Sequence, residues 1–485
     1  MFHLHCLFSL FKDTVVNLLL IGMHLLWIAS VCAVFVVVMF TLLYWITKRL
    51  LLLRHKIQHK NFQSKNLDVS IGFFHPYCNA GGGGERVLWC AVKAIQEKYP
   101  QVRCIIYTGD NDASPDEILK KAKQRFNISI DQPVEFIYLK WRRAVESDLY
   151  PHCTLLAQSL ASMVLGFEAL LKFVPTVYLD TMGYAFTIPI FKYLGSCRVG
   201  CYVHYPTIST DMLATVAKRR ANYNNAGVIA KSPMLSEAKL FYYHMFAYFY
   251  AVVGKTCQLV MVNSSWTKMH ILDLWRIPEV TFCVYPPCDV SSFEEIPIES
   301  AMDPKLTKNI VSVAQFRPEK DHTLQIRSFN QFLLSISENE RLMYKLILIG
   351  GCRHSEDEEL VKSELDVSQY VEFKLNISFD ELKVELALGT IGLHTMWNEH
   401  FGIGVVECMA AGLVVLAHDS GGPKMDIVKQ FNDLPTGFLA HDVDTYAEQM
   451  SKIFQMSSEE ILKLKLNARE SFLECLLSHT STIKD

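Results

Sequence analysis

Residues 397–412, "WNEHFGIGVVECMAAG", hold two glutamates eight residues apart in a segment interrupted by glycines. On one continuous α-helix, a rise of about 1.5 Å per residue would separate Glu399 from Glu407 by about 12 Å. The paired carboxylates of a glycosidase need roughly 5–9.5 Å, so the spacing disfavours a hydrolytic pair. Gly402 and Gly404 instead predict that Glu399 lies on a loop and that a helix begins near Gly404, with Glu407 in its first turn. Strand-like runs, "IGLHTM" and "LVVLAH", flank this stretch and make it one unit of a parallel α/β sheet.

The amino end of this predicted helix is a candidate phosphate site. A helix N-terminus offers free N–H groups and partial positive charge, and glycine allows the backbone to approach a ligand closely. Glu407 could then reach the hydroxyls of an attached ribose, as an acidic residue does in dinucleotide sites. The pattern therefore assigns Glu407 to the nucleoside and Glu399 to the sugar on the other side of the phosphates.

The segment "QFRPEKDH" supplies two cations, Arg317 and Lys320, just after a predicted strand. Ligands of parallel α/β sheets gather at the carboxyl ends of the strands. Two fixed cations there could neutralise the charge that develops on a diphosphate leaving group. Taken alone, the Arg-x-x-Lys pattern also fits a solvated loop.

Four consecutive glycines, 81–84, follow another predicted strand and open a helix. They favour close approach of the backbone to a ligand, although a flexible turn would have the same composition. The dinucleotide fingerprint fails because Arg86 stands where its third glycine should be, and a P-loop would need Gly-Lys-Ser/Thr. His204, at the end of the strand in "YVHYP", is either a structural histidine or a contact for the transferred group. No motif with metal-ligand spacing is present in the sequence, so a metal site is not expected.

The whole chain of 485 residues is too long for one ordinary core. Short apolar runs alternate with helical patterns, which predicts an α/β protein with parallel sheets. The alternation breaks near residues 290–305, so we predict an N-terminal domain at 67–290, a linker at 291–305 and a C-terminal nucleotide-binding domain at 306–485. The predicted strands are "VSIGFF", "VRCIIYT", "VEFIYL", "TVYLDTMG", "RVGCYVHYP" and "QLVMVNSS" in the first domain and "NIVSVAQF", "YKLILIGG", "YVEFKL", "IGLHTM" and "LVVLAH" in the second.

Residues 14–47 contain no charged side chain and are long enough to cross a bilayer, which takes about 20 apolar residues. A cleaved signal peptide is the alternative, but its shorter apolar stretch and cleavage site are not evident. The basic segment 48–66 follows, and positive flanks stay cytosolic, so residues 1–13 are expected in the lumen and both domains in the cytosol. The 14 cysteines form no CxxC pair, as expected of a reducing compartment.

A second uncharged run at residues 240–254 is short for a span and rich in Tyr and Phe. It is either a helix lying in the membrane interface or a buried core helix of the first domain. The formal net charge of −3 argues against nucleic acid as a partner.

Together, "RPEK", "EHFGIGVVE" and "AAGLVVLAHDSGGP" resemble the retaining glycosyltransferases of the GT-B architecture, family 4. Further stretches, "FFHPYCNAGGGGERVLW" and "YVHYPTISTDML", are similar to members that use GDP-mannose to extend a dolichol-diphosphate-linked oligosaccharide. The resemblance implies two Rossmann-like domains facing a cleft. It also implies α-1,2-mannosyl transfer onto a trimannosyl core at the cytosolic face of the endoplasmic reticulum. The implied partners are GDP-mannose, the lipid-linked oligosaccharide, the membrane and, as candidates, other glycosyltransferases of the same pathway.

The resemblance further implies transfer with retained configuration and without a metal or other cofactor. Glu407 would contact the ribose, Glu399 would lie by the donor sugar, and backbone N–H groups after it would assist. Arg317 and Lys320 would grip the diphosphate, and His204 would lie near the sugar. The implied catalytic residues are His204, Arg317, Lys320 and Glu399, and the implied donor-binding residues are Gly81, Gly82, Gly83, Gly84, Phe401, Gly402, Ile403, Gly404 and Glu407.

Two stretches depart from the family pattern, residues 351–366 and the carboxyl-terminal "NARESFLECLLSHTSTIKD". Both departures affect how the two domains are held together and leave the donor-binding residues unchanged.

Two other classes of protein remain as alternatives. One is a catalytically silent, membrane-anchored scaffold of the same fold, and the other is a nicotinamide oxidoreductase. Charged residues kept at a cleft disfavour the scaffold, and the failed glycine fingerprint disfavours the oxidoreductase.

Overall fold

The computed structural model describes residues 38–39, 41–42, 44–53, 69–218, 232–288, 290–298, 308–351 and 369–482, with side chains as far as residue 471. The predicted segment 1–13 and most of 14–47, 48–66 and 351–366 lie outside these residues, as does the end of the predicted linker. The described chain forms two parallel sheets flanked by helices, which confirms the predicted α/β class.

The first sheet contains, in the described part of the chain, seven parallel strands in the order β3-β2-β1-β4-β5-β6-β7. Six of them fall on predicted strands. The last one was missed because its three residues are too few to show a pattern. The strands are β1 (Ser70–Phe74), β2 (Arg103–Thr108), β3 (Val134–Tyr138), β4 (Val177–Asp180), β5 (Arg198–Val203), β6 (Leu259–Val262) and β7 (Thr281–Cys283).

The second sheet has, within the described ranges, six parallel strands in the order β10-β9-β8-β11-β12-β15. A small antiparallel pair, β13 with β14, stands beside it. All five predicted strands are present, and the short β15 was missed. The strands are β8 (Lys308–Val313), β9 (Tyr344–Gly350), β10 (Val371–Leu375), β11 (Gly389–Leu393), β12 (Val414–His418), β13 (Gln430–Phe431), β14 (Leu434–Pro435) and β15 (Phe438–Ala440).

Helices cover both faces of each sheet, so the central strands are apolar on both sides. Phe73 and Phe74 on β1 point to opposite faces and join different hydrophobic clusters, as alternate strand residues must. Residues 44–53 are helical, and the helices of the two domains are α1 (Gly83–Lys98), α2 (Pro115–Phe126), α3 (Thr154–Lys172), α4 (Ile188–Tyr193), α5 (Thr210–Ala217), α6 (Pro233–Gly254), α7 (Ser265–Trp275), α8 (Ser291–Glu294), α9 (His322–Leu334), α10 (Glu338–Arg341), α11 (Phe379–Ala387), α12 (Ile403–Ala410), α13 (Val443–Gln455) and α14 (Ser458–Thr482).

The connection between the two sheets is tied to the last described helix. The Arg469 guanidinium on α14 donates to the carbonyl oxygens of Glu294 (3.3 Å) and Ile296 (3.1 Å). α14 also packs against α12. The segment that leads from the first domain into the second is therefore fixed to the helix that carries Glu407.

The uncharged run 240–254 belongs to α6, which starts earlier than the run, at Pro233 behind the N-cap Ser232. Phe246 and Tyr250 on one side of α6 lie in the core of the first domain, while Phe241 and Tyr248 on the other side are exposed. Among the described residues, α3 is the one helix long and apolar enough to cross a membrane.

Candidate active site

Glu399 and Glu407 lie at the carboxyl edge of the second sheet. Glu399 sits in the loop between β11 and α12, and Gly402 ends that loop with φ +107°, a left-handed conformation that favours glycine. α12 begins at Ile403, so the predicted start near Gly404 was one residue late and Glu407 lies in the second turn rather than the first. Gly404 is inside the first turn, where a Cβ would stand 3.6 Å from the Val313 carbonyl oxygen at the end of β8.

The Glu399 carboxylate is the centre of a partly buried charge cluster. Its Oε2 accepts from Lys320 Nζ at 2.5 Å and from His394 Nε2 at 3.1 Å, and its Oε1 accepts from its neighbour's backbone N–H. Burial alone would raise the pKa of Glu399, but the His394 hydrogen bond and the Lys320 charge outweigh burial and hold the pKa well below its usual value. Glu399 is thus an anion throughout the physiological pH range.

Lys320 is held in place by its backbone as well as by its ammonium. It ends the short 3₁₀ turn Pro318–Lys320, and the Thr395 hydroxyl donates to its carbonyl oxygen at 2.8 Å. The ammonium also lies 3.1 Å from Met396 Sδ. The same loop that carries Glu399 therefore fixes both ends of the lysine, which makes Lys320 a positioned cation and not the solvated one that the isolated motif would allow.

Arg317 is placed differently from Lys320. Its side chain is 40% exposed, and its guanidinium pairs with Glu319 at 3.6 Å, within the same turn. The structure thus brings together Lys320 and Glu399, while Arg317 stands at the rim of the cluster. The diphosphate-binding role predicted for the two cations stays a prediction for both.

Two further glycines, Gly421 and Gly422, support the Glu399 loop from behind. The Gly422 N–H donates to the Glu399 carbonyl oxygen at 2.7 Å. A Cβ at Gly421 would collide with the same oxygen, and Gly421 has φ +61°. The "SGGP" end of the family-like stretch therefore acts as a backbone support for Glu399.

The glycine loop of the first domain faces α12 across the cleft. Gly81 has φ +84°, Gly82 is the N-cap of α1, and a Cβ at Gly83 would stand 3.5 Å from Ile403 Cδ1. A Cβ at Gly84 would stand 3.6 Å from His204 Nε2. The four glycines therefore separate the amino end of α12 from His204, at close distance to both.

His204 follows β5 directly and is half-buried. Its Nε2 lies 3.1 Å from the Thr181 carbonyl oxygen, which can only accept, so Nε2 carries the proton. The Asn263 amide donates to the His204 carbonyl oxygen at 2.9 Å. Burial lowers the pKa of His204 from 6.5 to about 4, so the ring is neutral at pH 7.

Another histidine at this edge, the fully buried His75, escaped the sequence reasoning. His75 follows β1 and bonds Thr181 Oγ1 at 2.8 Å and Glu85 Oε1 at 3.4 Å. The other Glu85 oxygen accepts the Gly82 N–H, which fixes the glycine loop. The signal that selected His204, a histidine at the end of a strand, would also have selected His75.

Four contacts between the domains were also missed. The first is the Arg86 guanidinium, 3.4 Å from Glu407 Oε1. The very residue that breaks the dinucleotide fingerprint thus reaches the second domain. Separation in sequence hides such pairs until the fold is known. The other three are Asn398 Nδ2 to Asp211 Oδ2 at 2.7 Å, Asp426 Oδ2 with the Ser265 N–H at 2.9 Å, and the His400 ring 4.3 Å from the Tyr205 ring.

The cleft therefore combines a helix N-terminus, a fixed ammonium, two acidic residues and a neutral histidine. A helix N-terminus and a cation can hold a diphosphate, and a carboxylate can accept from sugar hydroxyls. No cluster of three or more His, Cys, Asp or Glu side chains suited to a metal occurs among the residues that the structure describes.

Comparisons with known proteins agree with this geometry. Residues 68–275 match the family described as "ALG11 mannosyltransferase N-terminus", and residues 296–471 match "Glycosyl transferases group 1". A Xenopus laevis protein named "GDP-Man:Man(3)GlcNAc(2)-PP-Dol alpha-1,2-mannosyltransferase" is 56% identical over 405 residues, which cover 83% of each chain. A human protein of the same name is 53% identical over 450 residues, covering 91% of this chain and 90% of the human one.

Among solved structures, the sucrose-phosphate synthase of Thermosynechococcus elongatus superposes with a TM-score of 0.57 at 15% identity. The superposition covers 83% of this chain and 93% of the synthase. At this identity the likeness concerns the fold, and the fold is GT-B, as predicted.

Proposed function

This chain belongs to the family of GDP-Man:Man(3)GlcNAc(2)-PP-Dol alpha-1,2-mannosyltransferases, and we propose that it transfers mannose from GDP-mannose to a dolichol-diphosphate-linked oligosaccharide. The product is Man5GlcNAc2, formed from Man3GlcNAc2 by two α-1,2 additions. The observation that carries the proposal is sequence identity: the chain is 53% identical to the human protein over 90% of that protein's length. The loop that carries Glu399 leads into α12, and the Glu399 carboxylate pairs with Lys320. Together these groups form a site suited to a nucleotide sugar.

The donor would bind with its diphosphate at the amino end of α12. The first N–H groups of a helix have no partner within the helix and attract anions. Glu407, one turn further along α12, would accept hydrogen bonds from the ribose hydroxyls. Arg86, from the opposite domain, pairs with Glu407 in this structure. When the ribose binds Glu407 in place of Arg86, the Arg86 side chain would close over the nucleotide.

During transfer, the bond between the mannose C1 and the β-phosphate oxygen breaks, and a bond forms from the acceptor hydroxyl oxygen to C1. Negative charge grows on the leaving phosphate, and that oxygen takes the proton of the acceptor hydroxyl on the same face, which retains the configuration. The Lys320 ammonium would stabilise this charge, which is worth most when the cation is already fixed. Glu399 holds Lys320 at the cleft and offers its carboxylate to the sugar hydroxyls.

On the acceptor side, the glycine loop and the neutral His204 would frame the sugar and the incoming hydroxyl. Glu85 and His75 would keep the loop in position beneath it. Arg317 would reach the outer diphosphate oxygens after leaving Glu319. Transfer is proposed to need no metal, since Lys320 and the α12 amides supply positive charge.

The chain is proposed to reside in the endoplasmic reticulum membrane through one span at residues 14–47, with both domains in the cytosol. A dolichol carrier never leaves the bilayer, so an enzyme acting on it gains from an anchor. Other glycosyltransferases of the same pathway are candidate partners.

The test is transfer from radiolabelled GDP-mannose by the purified full chain, reconstituted in vesicles with Man3GlcNAc2 on a dolichol diphosphate. We expect products one and two hexoses larger that an α-1,2-mannosidase trims back. UDP-glucose as donor and a GlcNAc2 acceptor serve as controls. Binding of GDP without any transfer would favour the catalytically silent scaffold instead.

A further inference from the structure

The loop that carries Glu399 makes contacts on both sides of the cleft. We call residues 398–402, which lead into α12, the Glu399 loop. Glu399 itself is held within the second domain, where its carboxylate pairs with Lys320. Its two neighbours in the chain, Asn398 and His400, contact the first domain instead. The position of Glu399 therefore depends on both domains.

The His400 ring lies against two aromatic rings of the first domain. Its centroid is 4.3 Å from that of the Tyr205 ring and 5.5 Å from that of the Trp266 ring, and the ring planes are inclined by 30° and 24°. The Tyr205 and Trp266 rings are themselves nearly parallel, with centroids 6.2 Å apart. Aromatic rings at such distances attract each other in addition to the area that they bury. The His400 contact thus fixes the loop in distance and in orientation.

The His400 ring packs as a neutral aromatic group. Burial lowers the pKa of His400 from 6.5 to about 4, and the Lys320 charge acts in the same direction. Glu399 opposes these two effects and does not outweigh them. At pH 7 the imidazole is therefore uncharged, and its contact with Tyr205 and Trp266 is one that a phenyl ring could also make.

Asn398 makes the second contact, which is a hydrogen bond. Its side-chain amide donates to Asp211 Oδ2, in the first turn of α5, at 2.7 Å. Its backbone has φ +53°, a left-handed conformation that asparagine adopts more readily than most residues. Its N–H donates to Ser420 Oγ at 2.8 Å. The backbone of Asn398 is thus fixed within its own domain, while its side chain is fixed across the cleft.

One buried histidine connects the first-domain residues that the loop contacts. His270 on α7 is fully buried, and its Nδ1 lies 2.6 Å from the Thr210 hydroxyl oxygen. Its ring packs edge-on against Trp266, with centroids 4.2 Å apart, and its Nε2 lies 3.4 Å from Asp211 Oδ2. Trp266 and Asp211 lie on different helices, α7 and α5, so His270 sets their separation. We call Tyr205, Asp211 and Trp266 the socket.

The turn behind the Glu399 loop is attached to the same helix, α7. The Ser265 N–H, at the start of α7, donates to Asp426 Oδ2 at 2.9 Å, and the Tyr285 hydroxyl donates to Asp426 Oδ1 at 2.9 Å. The first N–H groups of a helix have no partner within the helix, and a carboxylate is favourable there. Ser265 directly precedes Trp266 of the socket. Two neighbouring residues of α7 therefore contact the Glu399 loop and the turn that supports it.

We infer that His400 and Asn398 are positioning residues for mannosyl transfer, because their docking in the socket holds Glu399, and through it Lys320, in the geometry that transfer needs. Their side chains act through Glu399 and need not touch the substrate. A displacement of about 1 Å at a reacting group can cost about 100-fold in rate. This inference rests on the proposed function, and it adds that the first domain sets the position of a carboxylate on the donor side.

The first test compares His400→Ala with His400→Phe in the vesicle transfer assay. His441→Ala is the matched control, since His441 is an exposed histidine of the second domain. In His400→Ala we expect kcat to fall about 10- to 100-fold and the KM for GDP-mannose to change by no more than about twofold, because the proposed ribose and phosphate contacts lie elsewhere. His400→Phe should keep most of the normal kcat, and His441→Ala should match the unsubstituted chain.

Two results of this comparison would overturn the inference. An equal loss in His400→Ala and His400→Phe would mean that the imidazole nitrogens act on the substrate directly. A normal kcat in His400→Ala would mean that the contact does not position the site.

Tyr205→Ala tests the same contact from the first domain. It should lower kcat about as much as His400→Ala does, and the double variant should fall little further than either single variant, because both substitutions remove one contact. Tyr205→Phe keeps the ring and should keep most of the normal kcat. Losses that multiply in the double variant would contradict the inference.

Hydrogen exchange tests the docking of the loop without any transfer. It is measured on the full chain in detergent, by mass spectrometry of a peptide that spans residues 397–402. In Tyr205→Ala this second-domain peptide should exchange about tenfold faster than in the unsubstituted chain, while a peptide from β9 should be unchanged. Unchanged exchange at 397–402 would overturn the inference, whether or not the chain transfers mannose. Faster exchange together with no transfer by the unsubstituted chain would contradict the proposed function and leave the docking of the loop in place.

Discussion

Removing the Lys320 ammonium tests the cleft most directly, because this one group joins the Glu399 loop to the proposed leaving group. In Lys320→Ala the Glu399 carboxylate keeps His394 but loses its cation at 2.5 Å. If Lys320 stabilises the departing diphosphate, turnover should fall about 10²–10³-fold, the usual cost of one preorganised donor.

Stability should fall as well, by an amount set by the burial of the pair. Removing one partner of a fully buried ion pair costs about 3–5 kcal/mol. The Lys320 side chain is 23% exposed, and His394 still pairs with Glu399, so we expect about 1–3 kcal/mol here. Urea unfolding of the two proteins measures this difference.

The double variant Lys320→Ala with Glu399→Gln separates the two effects. The amide removes the uncompensated charge, so at least part of the lost stability should return, while turnover with saturating GDP-mannose should stay low. Recovery of turnover in the double variant would mean that Lys320 only neutralises Glu399. The catalytic assignment would also be wrong if folded Lys320→Ala kept most of the normal turnover.

Three other predictions address the donor site and His204. Glu407→Gln should weaken GDP binding in calorimetry by about 1.5–3 kcal/mol, the cost of charge-assisted hydrogen bonds, with a smaller change in kcat; unchanged affinity would refute the ribose contact. Gly402→Ala should lower the free energy of unfolding in urea by about 1–3 kcal/mol, because a φ of +107° strains any residue other than glycine. Gly404→Ala should leave the free energy of unfolding nearly unchanged but weaken GDP binding. The pKa of His204 is near 6.5 in the unfolded chain and about 4 in the folded one, so its contribution to stability is lost as pH falls between these values, by about 2 kcal/mol at pH 5. The pKa values of His322, His400 and His418 are lowered in the same way, so His204→Gln should reduce the pH dependence of the urea midpoint without abolishing it.

Much of the fold could be predicted because strands buried on both faces are continuous apolar runs. "YKLILIGG" became β9, and "VSIGFF" became β1. The two strands that were not predicted, β7 and β15, have three residues each. They are strands because they pair with a neighbouring strand at the edge of the sheet, and their own residues show no pattern. The helix carrying Glu407 was placed to within one residue because Gly402 marks its start.

The candidate site was predicted in its parts and not in its connections. The pattern selected Glu399 and Lys320 separately, yet their ion pair joins residues 79 positions apart. Arg86 entered the reasoning only as a failed glycine, although it pairs with Glu407, 321 positions away. A sequence pattern reports local geometry, whereas Lys320 and Glu399 meet through the folding of the second domain and Arg86 and Glu407 meet where the two domains face each other.

The sequence by itself determined the two parallel sheets, the glycine-marked start of α12 and the family, because each depends on residues that are near one another in the chain. Only the tertiary structure decided that Lys320 is bound to Glu399 while Arg317 stays at the rim, and that the His400 ring packs against the first domain. The physical reason is that charge pairing and burial depend on distance in space, and chain folding brings together groups whose separation in sequence gives no sign of contact.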